Sequence, residues 1–392
     1  MMRAVTATTT VKRFEVLDSW RGICAIMVVL YHVPGFFLFS DLAVIRSGWL
    51  FVDFFFVLSG FVITHAYGTK TANLDDAFHF ISRRFFRIYP LHFCTFAAFL
   101  VWILLFDTAR IIGSMRFPEV VHASNPFADL SFEKIIRNLT LLQGFVGNSG
   151  DVGFNIPSWA VSVEFWTYIV FAICCLFLGR HLLSGQLFLT IACLLLLYAL
   201  SGRELEWYGN MLRCLAGFSL GSAAYLLLTK LKGYRLNVLI MTVLEGVVVA
   251  EILVFLWLAS QRSKTDHTIH DLQWLSPIVF AQVIAVFSFE GGTISRVLNR
   301  RIISRAGTYS YSTYMVHAFI LSIILVFLAG LMKLGVLNLA ISKTAGTAIL
   351  LFFIGILWYA ARWTYDNIER PGQTILPHLL ARFVRPSPRG KI

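Results

Sequence analysis

The dominant pattern in this sequence is a series of apolar runs of about 20 residues, separated by short polar loops. A helix of that length rises about 30 Å, which matches the hydrocarbon core of a bilayer. The pattern therefore predicts an all-α polytopic membrane protein, with about ten transmembrane helices in one bundle. The predicted spans are residues 20–38, 48–67, 88–106, 158–178, 185–200, 210–229, 236–259, 272–289, 309–331 and 344–362.

The composition supports a membrane protein and leaves little sequence for a soluble domain. Of the 392 residues, 58% are hydrophobic and 14% are charged, whereas soluble domains carry about 25% charged residues. The net charge of +12 is spread over many short loops, which argues against a nucleic-acid-binding surface. The six Cys lie in apolar runs without Cys-x-x-Cys spacing, so we expect neither disulfides nor a metal site.

The distribution of Lys and Arg predicts the orientation in the membrane. With the N-terminus inside, the cytoplasmic loops and tails carry about twice as many Lys and Arg as the outer segments, in line with the positive-inside rule. We therefore expect a multi-pass protein of the cell (inner) membrane with both termini in the cytoplasm. The predicted organisation is a cytoplasmic tail at 1–13, a membrane domain at 14–371 and a basic cytoplasmic tail at 372–392.

Two ionisable residues in the first apolar run share one predicted helix face. Arg21 and His32 are eleven residues apart, so a helix aligns them to within about 20° and separates them by about 16 Å. Ionisable side chains inside a bilayer are costly and are functional candidates by default. The alternative is that Arg21 anchors the helix at the headgroups and that a neighbouring helix satisfies His32.

The second and third spans add further candidates. Asp53 lies in an apolar run and must face protein or water there. The Ser59-Gly60 pair offers a small surface that a helix or a ligand can approach closely. Arg84 and Arg87 precede the third span and share a helix face, and the fork of donors on a guanidinium suits phosphate. Helix packing is the alternative for the Ser-Gly pair, and positive-inside anchoring is the alternative for the arginines.

Later spans carry three more polar candidates. Glu164 lies about two turns inside the outer end of the span at 158–178. It is either a partner for a buried cation or part of a site. Tyr311 and His317 lie near the start of the ninth span, where a satisfied core histidine is the alternative for His317.

Taken together and in this order, these stretches resemble the acyltransferase-3 family of integral membrane acyltransferases. The resemblance covers residues 14 to about 371, and Ala160 departs from it where the family often has Ser. Each motif is modest alone, but the ordered set is quite specific. The matches are Leu-Asp-x-x-Arg-Gly at 17–22, Arg21 and His32 spaced as Arg-x10-His, Asp-Phe-Phe-Phe-Val-Leu-Ser-Gly-Phe at 53–61, Arg84-x-x-Arg87, Ser-Trp-x-x-Ser-x-Glu ending at Glu164, Tyr-Ser-x-Tyr-x-x-His ending at His317, and Glu-Arg-Pro at 369–371.

The resemblance implies an acyl-CoA-dependent O-acyltransferase. The acyl group, expected to be acetyl, would move from cytoplasmic acyl-CoA to a hydroxyl of an extracytoplasmic carbohydrate or lipid-linked glycan. Under this resemblance Arg84 and Arg87 bind the phosphates of the donor at the inner mouth, and Arg21 guides the donor into the channel.

His32 is the candidate base for this reaction, because a hydroxyl is a poor nucleophile until its proton is removed. The alternative is that His32 itself becomes acylated. Asp53 and Glu164 are the candidates to orient or polarise that imidazole. The remaining site candidates are Ser59, Tyr311 and His317.

Two other classes of function stay open from the residues alone. A carrier or channel for an anionic solute would also line its path with buried polar residues, but it does not explain the ordered motifs. A sugar-binding membrane scaffold would need no base.

Overall fold

The computed structural model describes residues 13–68, 70–116, 130–145, 153–200, 207–230, 236–262, 273–333 and 342–374. These residues form α-helices with short 3-10 and π-helical turns, and no strand occurs among them. The predicted all-α fold is therefore confirmed. The helices are α1 Glu15–His32, α2 Ala43–Arg46, α3 Phe51–Tyr67, α4 Leu74–Arg116, α5 Phe132–Leu139, α6 Ser158–Leu178, α7 Leu182–Ala199, α8 Trp207–Lys230, α9 Val238–Arg262, α10 Ser276–Phe287, α11 Thr293–Leu298, α12 Arg301–Thr308, α13 Ser310–Lys333 and α14 Lys343–Thr364.

Seven helical stretches of the described chain are long and apolar enough to cross a bilayer. The polytopic membrane architecture is thus supported, whereas the predicted count of about ten spans is not confirmed. The seven stretches are Gly48–Tyr67, Leu74–Arg110, Ser158–Ala199, Gly209–Lys230, Val238–Gln261, Ser310–Met332 and Lys343–Thr374.

Three predicted spans account for the difference in count. Helix α1 carries three charged residues in its first two turns, and α10 is only 12 residues long. Helices α6 and α7 fall into one stretch of 42 residues. The chain reverses there at Gly179, whose φ is +46°. In a straight helix, residues 178 and 185 would be about 10 Å apart. Here a Cβ on Gly185 would lie only 2.1 Å from Cδ1 of Leu178, so the chain folds back on itself between α6 and α7.

Two helix boundaries differ from those that the hydrophobic pattern predicts. Helix α1 ends at His32, because Val33 is extended and precedes a proline. His32 therefore lies at the C-terminus of α1 and not inside a span that continues to residue 38. Helix α4 runs for 43 residues through Pro90, so Arg84 and Arg87 belong to the same continuous helix as the third span.

Glycines allow the central helices to touch through their backbones. A Cβ on Gly60 of α3 would lie 1.9 Å from the carbonyl oxygen of Phe218 in α8, and one on Gly221 would lie 1.9 Å from that of Val57. Because no side chain fits between them, α3 and α8 are in close backbone contact at these glycines. The small surface predicted at Ser59-Gly60 is thus a helix-packing surface at Gly60.

Candidate functional site

A cavity of about 590 Å³ opens between α1, α3, α4, α6, α13 and the residues after α14. Helix α3 lines it from Val52 to Ala66, which is about 21 Å of helix. Charged side chains line the end where α1 begins, and apolar and aromatic side chains line the other end. The charged end includes Arg13, Asp18, Arg21, Arg84, Arg87 and Glu369, and the deeper end includes Val52, Phe55, Phe56, Ala160, Val161 and Tyr314.

Among the arginines that line the cavity, the two of the Arg-x-x-Arg motif make the fewest hydrogen bonds and ion pairs with the protein. Arg84 Nη2 donates to the Tyr67 hydroxyl at 3.2 Å, and its guanidinium lies 5.1 Å from the centre of that ring. Its Nε is buried and has no hydrogen-bond partner among the described residues. Arg87 makes no hydrogen bond or ion pair with any described residue, although Glu369 and Glu164 lie within electrostatic range of it. Both groups can bind an anion without first breaking a strong contact.

Arg21 lines the same end but is largely held by the protein. Its Nε donates to Ser310 Oγ at 3.0 Å, and its Nη2 donates to the Gly307 carbonyl at 3.1 Å. Its Nη1 lies 3.3 Å from a carboxylate oxygen of Asp18. These contacts tie α1 to the start of α13, so Arg21 shapes the charged end as well as contributing charge to it.

Glu164 lies in the cavity wall with two hydroxyl partners and not beside His32. It accepts hydrogen bonds from the Tyr168 hydroxyl at 2.7 Å and from Ser59. The prediction that Glu164 orients the imidazole of His32 is therefore wrong in this geometry. The candidate Ser59 lines the cavity, and its hydroxyl and that of Tyr168 hold the Glu164 carboxylate in place.

Asp53 is also not a partner of His32. Its carboxylate pairs with Arg213 of α8 at 3.1 Å and accepts a hydrogen bond from Ser276 of α10. The Arg213 guanidinium lies 5.7 Å and 5.3 Å from the ring centres of Trp49 and Trp159. The aspartate in the second span thus joins three helices in a buried ion pair, and the prediction that it orients the imidazole is wrong.

The two intramembrane histidines lie side by side. The ring centres of His32 and His317 are 5.0 Å apart. His32 Nδ1 lies 2.8 Å from the Val28 carbonyl, and His317 Nδ1 lies 2.6 Å from the Tyr314 carbonyl. A carbonyl only accepts, so each neutral ring carries its proton on Nδ1 and presents the lone pair of Nε2. Backbone carbonyls, and not carboxylates, therefore orient both imidazoles.

Tyr314 separates the histidine pair from the cavity. Its ring lines the deep end of the cavity and lies 5.9 Å from the His317 ring, and its hydroxyl donates to the Pro157 carbonyl at 2.8 Å. His317 is consequently one side chain away from the cavity, and His32 packs against His317. Tyr314 lies three residues before His317, a helical spacing that could have identified it from the sequence.

Two more residues at the charged end complete the candidate site. Glu369 is buried and accepts from Ser312 Oγ at 2.7 Å and Gln373 Nε2 at 3.1 Å. It ends a π-helical turn, Tyr365–Glu369, of a type that is frequent at functional sites. Tyr311 lines the cavity and donates to the Ile88 carbonyl at 2.7 Å. Glu369 belongs to the Glu-Arg-Pro motif, which was the only sequence signal for it.

A polytopic helical bundle with ionisable side chains gathered around an internal cavity defines a membrane protein with a buried polar site. Residues 14–363 match the family profile described as an acyltransferase domain of the acyltransferase-3 type. The chain belongs to the acyltransferase-3 family and is a multi-pass membrane acyltransferase, as the sequence motifs predict.

Two curated proteins show partial similarity to this chain. A segment of 164 residues is 32% identical to Protein 2 in picA locus of Rhizobium radiobacter, over 41% of this chain and 82% of that protein. A segment of 169 residues is 30% identical to Acyltransferase MdmB of Streptomyces mycarofaciens, over 41% of this chain and 39% of that protein. No solved structure matches this chain significantly.

Proposed function

We propose that this acyltransferase transfers an acyl group, with acetyl expected, from cytoplasmic acyl-CoA to a hydroxyl of an extracytoplasmic carbohydrate or lipid-linked glycan. The observation that supports the proposal is that the arginines, the cavity and the two histidines lie one after another along one path. Arginines with few protein contacts lie at one end of the cavity, and two imidazoles whose Nε2 atoms make no hydrogen bond to a described residue lie beyond Tyr314 at the other.

The cavity suits the chemistry of the donor. Acyl-CoA carries phosphates at one end of a long, mostly uncharged arm, and the acyl thioester lies at the other end. Arg84 and Arg87 would hold the phosphates through charge-assisted hydrogen bonds. About 21 Å of α3 then lines the arm, with Ser59 and Glu164 as the polar groups along the way.

The histidines suit the acceptor side of the reaction. His32 is partly exposed at the C-terminus of α1, whereas His317 is fully buried behind it. His32 Nε2 would take the proton of the acceptor hydroxyl as the new carbon–oxygen bond forms. It would return that proton to the thiolate that leaves as the carbon–sulfur bond breaks. His317 would position His32 by packing against its ring.

The orientation follows from the charge distribution and is part of the proposal. The arginine-lined end lies where α1 begins and where α4 carries its basic motif. The positive-inside rule assigns that side to the cytoplasm of an inner membrane. The donor would thus enter from the cytoplasm, and the acceptor would approach the opposite side.

A donor-consumption assay in membranes tests this proposal. Membranes containing the protein are supplied with acetyl-CoA and with a crude surface-glycan acceptor, and release of free CoA thiol is measured. We expect thiol release together with acylated glycan by mass spectrometry. Movement of an anionic solute without any thiol release would instead support the carrier alternative and overturn the acyl-CoA proposal. An acyl group trapped on His32 would change its role from base to nucleophile.

A further inference from the structure

Helix α10 exposes a single residue, and that residue is polar. Of its 12 residues, eleven are buried or partly buried, and only Gln282 is exposed. Gln282 lies in the middle of this apolar helix, so a carboxamide lies on the outer surface of a membrane-protein bundle. Lipid chains offer no hydrogen-bond partner at this depth.

Gln282 is paired with a carboxylate at the same depth. Its Nε2 donates to Glu251 of α9 at 2.8 Å. Glu251 lies 13 residues after Val238 and 11 residues before Arg262, so it is near the middle of the α9 span. It is partly exposed, and the neighbouring positions on its face, Val247 and Val254, are both 57% exposed.

This pair is unusual for a lipid-facing surface. Ionisable residues within membrane spans are rare and almost always face the bundle interior or a water-filled cavity. The hydrogen bond between them is the only one that the described residues make to either side chain. One N–H and the carbonyl of Gln282 and one oxygen of Glu251 have no hydrogen-bond partner among the described residues.

We propose that the α9–α10 face carrying Glu251 and Gln282 is the interface between two copies of this chain in the membrane. The remaining groups include one donor and two acceptors, so the surface is complementary to itself. Under a two-fold axis, Gln282 of each copy donates to Glu251 of the other, and both carboxylates become enclosed by protein. The exposed valines of α9 supply the apolar packing around the pair.

Cross-linking in native membranes tests this interface. Val247→Cys introduces a thiol one turn from Glu251, and Leu351→Cys, on the 67% exposed surface of α14, is the matched control in the same background of native cysteines. We expect oxidation to produce a species of twice the chain mass with Val247→Cys and not with Leu351→Cys. Adding Glu251→Leu and Gln282→Leu should lower the cross-linked fraction at least about tenfold while the monomer stays folded.

A second substitution covers the case in which the double leucine variant does not fold. The exposed side chain of Val247 permits Val247→Trp without a clash inside the monomer. The bulky indole should force the two copies apart, so we expect light scattering in detergent to give the mass of a monomer. Three results would overturn the proposal: a chain that is monomeric in the membrane, cross-links only to a different protein, or a dimer that the leucine and tryptophan substitutions leave unchanged.

Discussion

The buried ion pair between Asp53 and Arg213 gives a prediction whose size follows from the structure. The Asp53 side chain is 0% exposed, and that of Arg213 is 7% exposed. Arg213→Met removes the cation and leaves the Asp53 charge buried with only the Ser276 hydroxyl. Breaking one partner of a buried pair costs about 3–5 kcal/mol, because the remaining charge has lost its compensation. We therefore expect Arg213→Met and Asp53→Leu each to destabilise the protein by about that amount.

The double variant gives the sharper test. Replacing both partners by apolar side chains removes both charges, so Asp53→Leu with Arg213→Met should cost much less than the sum of the two single changes. Lys343→Met is the matched control, since it breaks the exposed ion pair with Asp41 and should cost at most about 1 kcal/mol. The assay is unfolding in detergent for all four variants, with turnover per folded molecule measured in parallel.

Two outcomes would refute this account of Asp53. Additive losses in the double variant would show that the pair is not coupled. A fully stable Asp53→Asn protein with a large loss of turnover per folded molecule would return Asp53 to the reacting groups, as the sequence alone suggested.

Three further predictions follow. Arg84→Ala and Arg87→Ala should weaken acyl-CoA binding without loss of folding, and Arg87→Lys should not restore it, because an ammonium lacks the bidentate fork; unchanged affinity in both alanine variants would leave these residues as membrane anchors. Gly60→Ala should destabilise the protein by about 1–3 kcal/mol, because the new Cβ clashes with the α8 backbone. Gly355→Ala is the control and should not destabilise it, because a Cβ there meets nothing within 4 Å; thermal unfolding of both variants tests the difference. A C-terminal epitope should be labelled only after the membrane is permeabilised; labelling of intact cells would contradict the predicted orientation.

The sequence predicted much of the cavity because its residues occur in ordered motifs. Arg21, Arg84, Ser59, Glu164 and Tyr311 come from separate stretches of the chain, and all of them line one cavity. The hydrophobic pattern also located most membrane helices, since uncharged apolar runs long enough to cross a bilayer are typical of transmembrane helices. Its count of about ten spans is not confirmed, because α1 carries three charged residues in its first two turns and α10 has only 12 residues, so neither reaches the length and apolar composition of a membrane span.

Partners across the fold could not be predicted in the same way. The proposed link from Asp53 to His32 failed because the cation that neutralises Asp53 lies 160 residues away on α8. The adjacency of His32 and His317 likewise depends on how α1 packs against α13. Side-chain pairing of this kind is set by tertiary packing, and the periodicity of hydrophobic residues along the sequence does not predict it. Exposed Gln282 is a further case, because hydropathy alone does not say which side of a helix faces lipid.

The proposed role of His32 is tested most directly by turnover per folded molecule in a His32→Ala variant. His92→Ala is the matched control, because His92 is a buried histidine whose Nε2 lies 2.8 Å from the Asn138 carbonyl, away from the cavity lining. We expect His32→Ala to lower turnover by about 10²–10⁴-fold, the usual contribution of a positioned general base, with acyl-CoA binding and thermal stability retained. His92→Ala should show the reverse, a lower stability with nearly normal turnover of the folded fraction. Near-normal turnover in a well-folded His32→Ala protein would contradict the proposed mechanism.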